Sequence, residues 1–249
     1  MSLAEESVAL LGSGGLLCDR VPGFVPREGQ RALAGAIAAA IEAGEHLLAE
    51  AGTGIGKTFA YLVPILLGGR RALISTATRA LQDQLFERDL PLVARALGRP
   101  LDVVVLKGRR NYLCRERWLR LAQDWVGVAA GGIETELLAA WAAQTKTGDL
   151  AELPREGNPA VIAGLLTVGA EACLGKACPE FSRCHVYAAR RRALEADVVI
   201  VNHNLLVADI ALKAEGGGDL LGGADVVVVD EAHALPEVAR LNLGETLSR

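Results

Sequence analysis

Leu47-Leu48-Ala49-Glu50-Ala51-Gly52-Thr53-Gly54-Ile55-Gly56-Lys57-Thr58 is the stretch whose reading decides the fold. Its last eight residues follow the phosphate-loop pattern G-x-x-x-x-G-K-[ST], with Ala51 in place of the first glycine. Gly52, Gly54 and Gly56 let the backbone turn tightly and aim its N–H groups at phosphate oxygens. Thr53 and Ile55 complete the cradle. Lys57 supplies positive charge for the β- and γ-phosphates, and Thr58 a hydroxyl for Mg²⁺. A helix starting near Lys57 adds its positive end. The apolar run Leu47-Leu48-Ala49 predicts a buried strand before the loop. Strand, loop and helix is the context the motif requires, and it implies nucleotide binding.

Outward from the loop, the chain repeats that grammar. Upstream, Leu33, Ile37 and Ile41 recur every four residues and predict a helix over 27–43 that ends at Gly44. Gln30, on that helix, carries an amide that both donates and accepts, as adenine requires. Downstream, apolar runs at 71–76, 102–106, 197–201 and 225–229 read as further strands, near-continuous as in a parallel sheet. The helix after the loop tolerates Pro64, and another is expected over 79–88 with Thr78 at its cap. Thr78 and Arg79 lie at a strand-to-helix corner, where hydroxyls and N–H groups can also hold phosphates. Residues 1–26 read as a loosely packed leader.

The fifth run, Val226-Val227-Val228-Val229, ends in Asp230-Glu231-Ala232-His233. Open α/β sheets bind ligands at the carboxyl ends of their strands. Asp230 there suits the Mg²⁺ shared with Thr58, and Glu231 the water that attacks the γ-phosphate. His233 lies too far along for the same metal shell and suits sensing the nucleotide.

Between the third and fourth runs the composition changes. Lys107, Arg109, Arg110, Arg115, Arg117 and Arg120 crowd fourteen residues, with Tyr112 and Trp118 interleaved. Basic groups with aromatics suit single-stranded nucleic acid, though a solvated helix face has the same composition. Cys114 precedes a trio, Cys173, Cys178 and Cys184, spaced C-x4-C-x5-C. The spacing is neither that of a zinc ribbon nor that of a ferredoxin, and both an iron–sulfur cluster and zinc stay open on chemistry alone.

The 249 residues carry 26 basic and 30 acidic side chains, a formal net charge of -4, so the chain as a whole is not a polybasic nucleic-acid binder. Hydrophobic residues make up 51% and aromatics 4%, a composition of Ala, Leu and Val that suits α/β packing and buries a full core. No apolar run approaches a membrane span, and the apolar stretch at 8–17 is broken by glycines with no basic segment before it. Five cysteines without a secretory signal point to a reducing, cytoplasmic setting.

In order and together, Arg27 and Gln30, the Ala51–Thr58 loop, Ser75-Thr76-Ala77-Thr78, Lys107-Gly108-Arg109-Arg110-Asn111-Tyr112-Leu113-Cys114, the cysteine trio, Val201-Asn202-His203-Asn204-Leu205-Leu206 and Asp230-Glu231-Ala232-His233 resemble one family. It is the XPD/DinG group of superfamily 2 helicases that carry an iron–sulfur domain, and its bacterial DinG/YoaA-like branch is most similar. The resemblance implies an α/β fold: a RecA-like P-loop NTPase lobe with a mostly parallel sheet, interrupted by a mainly helical four-cysteine iron–sulfur insert. The expected division is a leader at 1–26, the lobe at 27–106 and 193–233, the insert at 107–192, and the start of an arch or following region at 234–249.

The resemblance further implies ATP, Mg²⁺ and a 4Fe–4S cluster on Cys114, Cys173, Cys178 and Cys184. It implies ATP-driven 5′-to-3′ translocation on single-stranded or forked DNA, in repair or replication. Arg27 and Gln30 would approach adenine, and Thr78, Arg79, Lys107, Arg109, Arg110 and Tyr112 would approach DNA. The family's second RecA-like lobe is not within these residues, so the chain by itself is not expected to unwind DNA. The competing expectation is a redox or iron sensor that uses nucleotide to hold a shape.

Overall fold

The computed structural model describes residues 1–52, 54–124, 135–153 and 158–244. It divides into two compact units, Met1–Val105 with Ala196–Arg249, and Leu106–Glu195. The chain leaves the first unit at the end of one strand and re-enters it just before another.

The first unit is built on a four-stranded sheet. Its strands are β1 (Ala72–Thr76), β2 (Val103–Val105), β3 (Val198–Asn202) and β4 (Val226–Val229). They lie in the order β2-β3-β1-β4, and every pairing is parallel. Register is shared across the sheet: Ala72 stands opposite both Val198 and Val226, and Val103 opposite Val198. An aspartate precedes three of the strands and helps fix that register. Asp197 accepts the Asp102 amide at 2.9 Å, and Asp225 the Arg71 amide at 3.0 Å. Parallel strands in common register bring their carboxyl ends to one edge, so Thr76, Asn202 and Asp230 come out together.

Helices cover this sheet. They are α1 (Leu3–Leu10), α2 (Leu16–Arg20), α3 (Glu28–Ala43), α4 (Lys57–Gly68), α5 (Arg79–Gln84), α6 (Leu90–Leu97), and, after the second unit, α11 (His203–Ala214) and α12 (Leu235–Leu243). Leu62 and Ile65 of α4, Ile74 of β1, Leu90 of α6 and Ile200 of β3 form the centre of one core. Gly44 ends α3 in the left-handed conformation, φ 67°, which a side chain would strain.

Three expectations are corrected. Leu47–Ala49 forms no strand: the segment runs unpaired beside the free edge of β4, and Leu48 is 94% exposed. No helix or strand among the described residues covers that side chain, so the run lacks the burial that would hold it in a ladder. Residues 1–26 are not loosely packed. A capping box of Ser2 and Glu5 starts α1, Glu42 accepts the Leu3 amide at 2.8 Å, and Leu11, Leu17 and Val21 are buried in the main core. The helix expected to end at Arg88 continues to Leu97 through a π-helical turn, Leu85–Asp89, that keeps Leu85, Leu90 and Val93 all facing inward.

The second unit is mainly helical. It holds α7 (Arg115–Asp124), α8 (Thr135–Gln144), α9 (Pro159–Leu166) and α10 (His185–Glu195). Leu113, Leu138, Ala142, Ile162 and Leu166 form its core, with Trp118 and Trp141 packed against it. Backbone bonds from Leu113 to Gly148 and from Cys114 to Leu166, both 2.8 Å, fasten the segment before α7 to the rest.

Candidate functional site

The nucleotide-site candidates converge in the first unit. The loop turns through Gly54 (φ 79°) and Gly56 (φ 89°) and passes directly into α4 at Lys57. A side chain at Gly56 is excluded twice over, by that φ and by Gln30, whose Nε2 would lie 2.2 Å from a Cβ there. Gln30 is buried beneath the loop and donates from Nε2 to the Gly56 carbonyl at 3.0 Å, while its Oε1 is buried without a partner among the described residues. The Arg27 guanidinium lies beside Gly56, and the Ile55 methyls lie against Gly29 and Gly52. Thr53 falls outside the described residues.

Lys57 donates from Nζ to the Ala51 carbonyl at 3.3 Å and pairs with Glu231 Oε1 at 3.4 Å. The end of β4 and the start of α4 therefore already meet. Asp230 joins the sheet through its amide, which donates to the Ser75 carbonyl at 2.9 Å. Its Oδ2 accepts the Tyr61 hydroxyl at 3.3 Å, and that hydroxyl also adjoins Thr58. Burial, reinforced by the Glu231 charge, raises the Asp230 carboxyl above the ordinary range, against the Tyr61 hydrogen bond and Lys57. Burial likewise drives the Tyr61 hydroxyl far above its usual value, with Asp230 adding to it, so it stays a neutral donor. Glu231 sits at φ 57° and ψ 45°, the one non-glycine residue with positive φ among those described. Strained backbone at a carboxylate facing a phosphate loop is the kind of feature found at working sites. His233 is exposed, with Nδ1 3.4 Å from Glu231 Oε2.

Sequence reasoning missed Tyr61 and the buried pair Ser75–His203, bonded at 2.7 Å beneath Asp230. Tyr61 had a signal, since it stands four residues after Lys57 on the same face of α4.

In the second unit Cys114, Cys173, Cys178 and Cys184 all line one cavity of about 300 Å³, with Phe181 and Tyr187. Cys114 immediately precedes α7, Cys178 closes a 3₁₀ turn at Gly175–Ala177, and Cys184 closes a second at Phe181–Arg183. Arg109 donates from Nη1 to Cys173 Sγ at 2.8 Å. Burial pushes the Cys114 thiol up, opposed by the Arg117 amide. No three His, Cys, Asp or Glu side chains among the described residues converge as a single metal ion requires. A tetrahedral zinc needs every sulfur about 2.3 Å from one point. Four soft donors line one hollow.

The six residues expected at DNA differ in their freedom. Thr78 caps α5 by accepting the Leu81 amide at 3.3 Å, and Arg79 beside it is exposed. Arg110 is exposed and paired with Glu171 at 3.1 Å. Lys107 is committed to Asp149 at 2.6 Å, and Arg109 to Cys173. Tyr112 is 4% exposed, and its hydroxyl accepts the Lys107 amide at 3.1 Å, so its ring has no open face on which a base could stack.

A parallel α/β sheet with a glycine loop opening a helix, and two carboxylates at the strand ends opposite, fits a RecA-like helicase lobe. Residues 31–123 match the DEAD/DEAH box helicase family and residues 167–249 the DEAD_2 family. It is 43% identical to the ATP-dependent DNA helicase YoaA of Haemophilus influenzae, over all of this chain and 39% of that protein. It is 44% identical to YoaA of Escherichia coli, over 94% of this chain and 37% of the relative. To the ATP-dependent helicase DinG of Mycobacterium tuberculosis it is 41% identical, over 86% of this chain and 35% of the relative. The chain thus spans between a third and two fifths of the length of these relatives.

Proposed function

We propose that the chain is the nucleotide-binding lobe of an ATP-dependent DNA helicase that moves 5′ to 3′ along single-stranded DNA. One observation carries the reading: Lys57 of the phosphate loop faces Glu231 across 3.4 Å, with Asp230 beside it at the carboxyl edge of a parallel sheet. In this reading Lys57 exchanges its Ala51 and Glu231 partners for the β- and γ-phosphate oxygens. Thr58 and Asp230 would hold Mg²⁺, with Tyr61 orienting Asp230. Glu231, released from Lys57, accepts a proton from the attacking water. Arg27 stands near the loop for the base, while Gln30 supports the loop from beneath.

The four cysteines around one cavity support an iron–sulfur insert, with Cys114, Cys173, Cys178 and Cys184 as the ligands. When bound, such a cluster supplies four metal–thiolate bonds that fasten the segments of this small core together. Arg109, donating to Cys173, would favour its thiolate. For DNA, the exposed candidates are Thr78 and Arg79 in the lobe and Arg110, paired at the surface with Glu171, in the insert. Translocation requires a second RecA-like lobe closing on the nucleotide.

The test is binding of a fluorescent single-stranded oligonucleotide, followed by anisotropy against salt. The helicase reading expects binding that weakens with salt and weakens further in Arg79→Ala. Nucleotide binding without any affinity for the oligonucleotide would favour the sensor reading.

A further inference from the structure

Ser75 is an interior residue of β1 and His203 the first residue of α11, and neither exposes any surface. Ser75 Oγ and His203 Nδ1 are 2.7 Å apart. The Ser75 carbonyl accepts the Asp230 amide, and Asn202 caps α11 by accepting the Leu205 amide at 2.9 Å. The imidazole is therefore fixed at a strand-to-helix corner directly against the end of β4. There it lies against the backbone of Glu231 and Asp230. Backbone carbonyls only accept, so with Nδ1 engaged by Ser75, Nε2 is the ring nitrogen left to donate toward them. Nε2 finds no partner at full hydrogen-bond geometry among the described residues. The backbone it lies against includes Glu231, the one left-handed non-glycine residue among those described.

We propose that Ser75 and His203 form a positioning dyad that holds the Asp230–Glu231 turn in its left-handed conformation and so keeps the Glu231 carboxylate directed at the phosphate loop. The proposal rests on the nucleotide-hydrolysis reading of Glu231. A left-handed glutamate relaxes toward the right-handed or extended regions unless its surroundings oppose it. The imidazole, anchored by Ser75, is the buried polar group placed to do so. Without it the turn opens and the carboxylate swings away from Lys57, while the loop that binds nucleotide stays intact.

The test uses Ser75→Ala and His203→Leu, the second keeping an apolar side chain of similar volume. Two readouts are taken on the whole chain: ATP affinity against turnover at saturating MgATP, and amide hydrogen exchange, without nucleotide, at Asp230 and Ala234, whose amides donate to the Ser75 and Glu231 carbonyls at 2.9 and 3.0 Å. The dyad predicts at least tenfold faster exchange at those two amides in both variants, with the amides of β1 and α3 unchanged. It predicts at least tenfold slower turnover with ATP affinity within twofold. Exchange at Asp230 and Ala234 equal to that of the unmodified chain overturns the proposal. Protection lost evenly across the sheet also overturns it, since a merely structural role does that. Absence of MgATP binding by the unmodified chain would instead sink the nucleotide reading, and the exchange result would still decide what holds the turn.

Discussion

Asp230 lies where burial and then the charge of Glu231 both oppose ionisation, yet a metal-binding role needs it ionised. Its carboxyl pKa is higher in the fold than in the unfolded chain. Between the ordinary carboxylate range and that raised value the folded state binds more protons, so stability falls as pH rises through this window. Asp230→Asn should therefore melt at a higher temperature than the unmodified chain at pH 7 in metal-free buffer. The gain should fade as pH drops below the ordinary range, where both side chains are neutral. Thermal melts across pH check this, and a lower melting temperature for the variant at pH 7 would contradict it. Glu231→Gly should likewise stabilise the nucleotide-free chain, by up to about 1 kcal/mol, because it removes a left-handed side chain. Turnover should be lost in the same variant. Lys57, Asp230 and Glu231 were legible in the sequence because each sits in a motif whose spacing has a chemical cause. Tyr112 and Lys107 were not, because a basic and aromatic run does not say which side chains fold inward. Here one is buried in its own unit and the other is paired with Asp149.

Among the elements, the valine-rich strands were legible because buried parallel strands read as unbroken apolar runs. Leu47–Ala49 has the same apolar character and is no strand, since pairing and cover come from neighbours that no local pattern encodes. The amino-terminal helices failed in the opposite direction. Glycines and prolines obscured a segment whose Leu11 and Leu17 are fully buried in the main core. Leu11→Ala should cost about 2–5 kcal/mol, as for other buried leucines. Denaturant unfolding measures it, and a loss near zero would restore the picture of a loose leader.

For the whole molecule, the composition changes after the third apolar run, where basic residues and cysteines replace valines, and the second compact unit begins at Leu106. The nature of the group among the cysteines was not legible, because thiolates at this spacing serve more than one metal. Protein purified without oxygen should carry about four iron and four sulfide per chain, lost in Cys178→Ser while ATP binding persists. One zinc and no sulfide would contradict the cluster and leave the sheet's site untouched.

The central claim is that Lys57, at the junction of the glycine loop and α4, binds the phosphates of ATP opposite Asp230 and Glu231. Its most direct test is a calorimetric titration of the chain and of Lys57→Ala with MgATP. Saturable binding is expected of the unmodified chain, and at least about tenfold weaker binding of the variant, roughly 1.4 kcal/mol, with an unchanged unfolding midpoint. Equal affinity in the two proteins would contradict it.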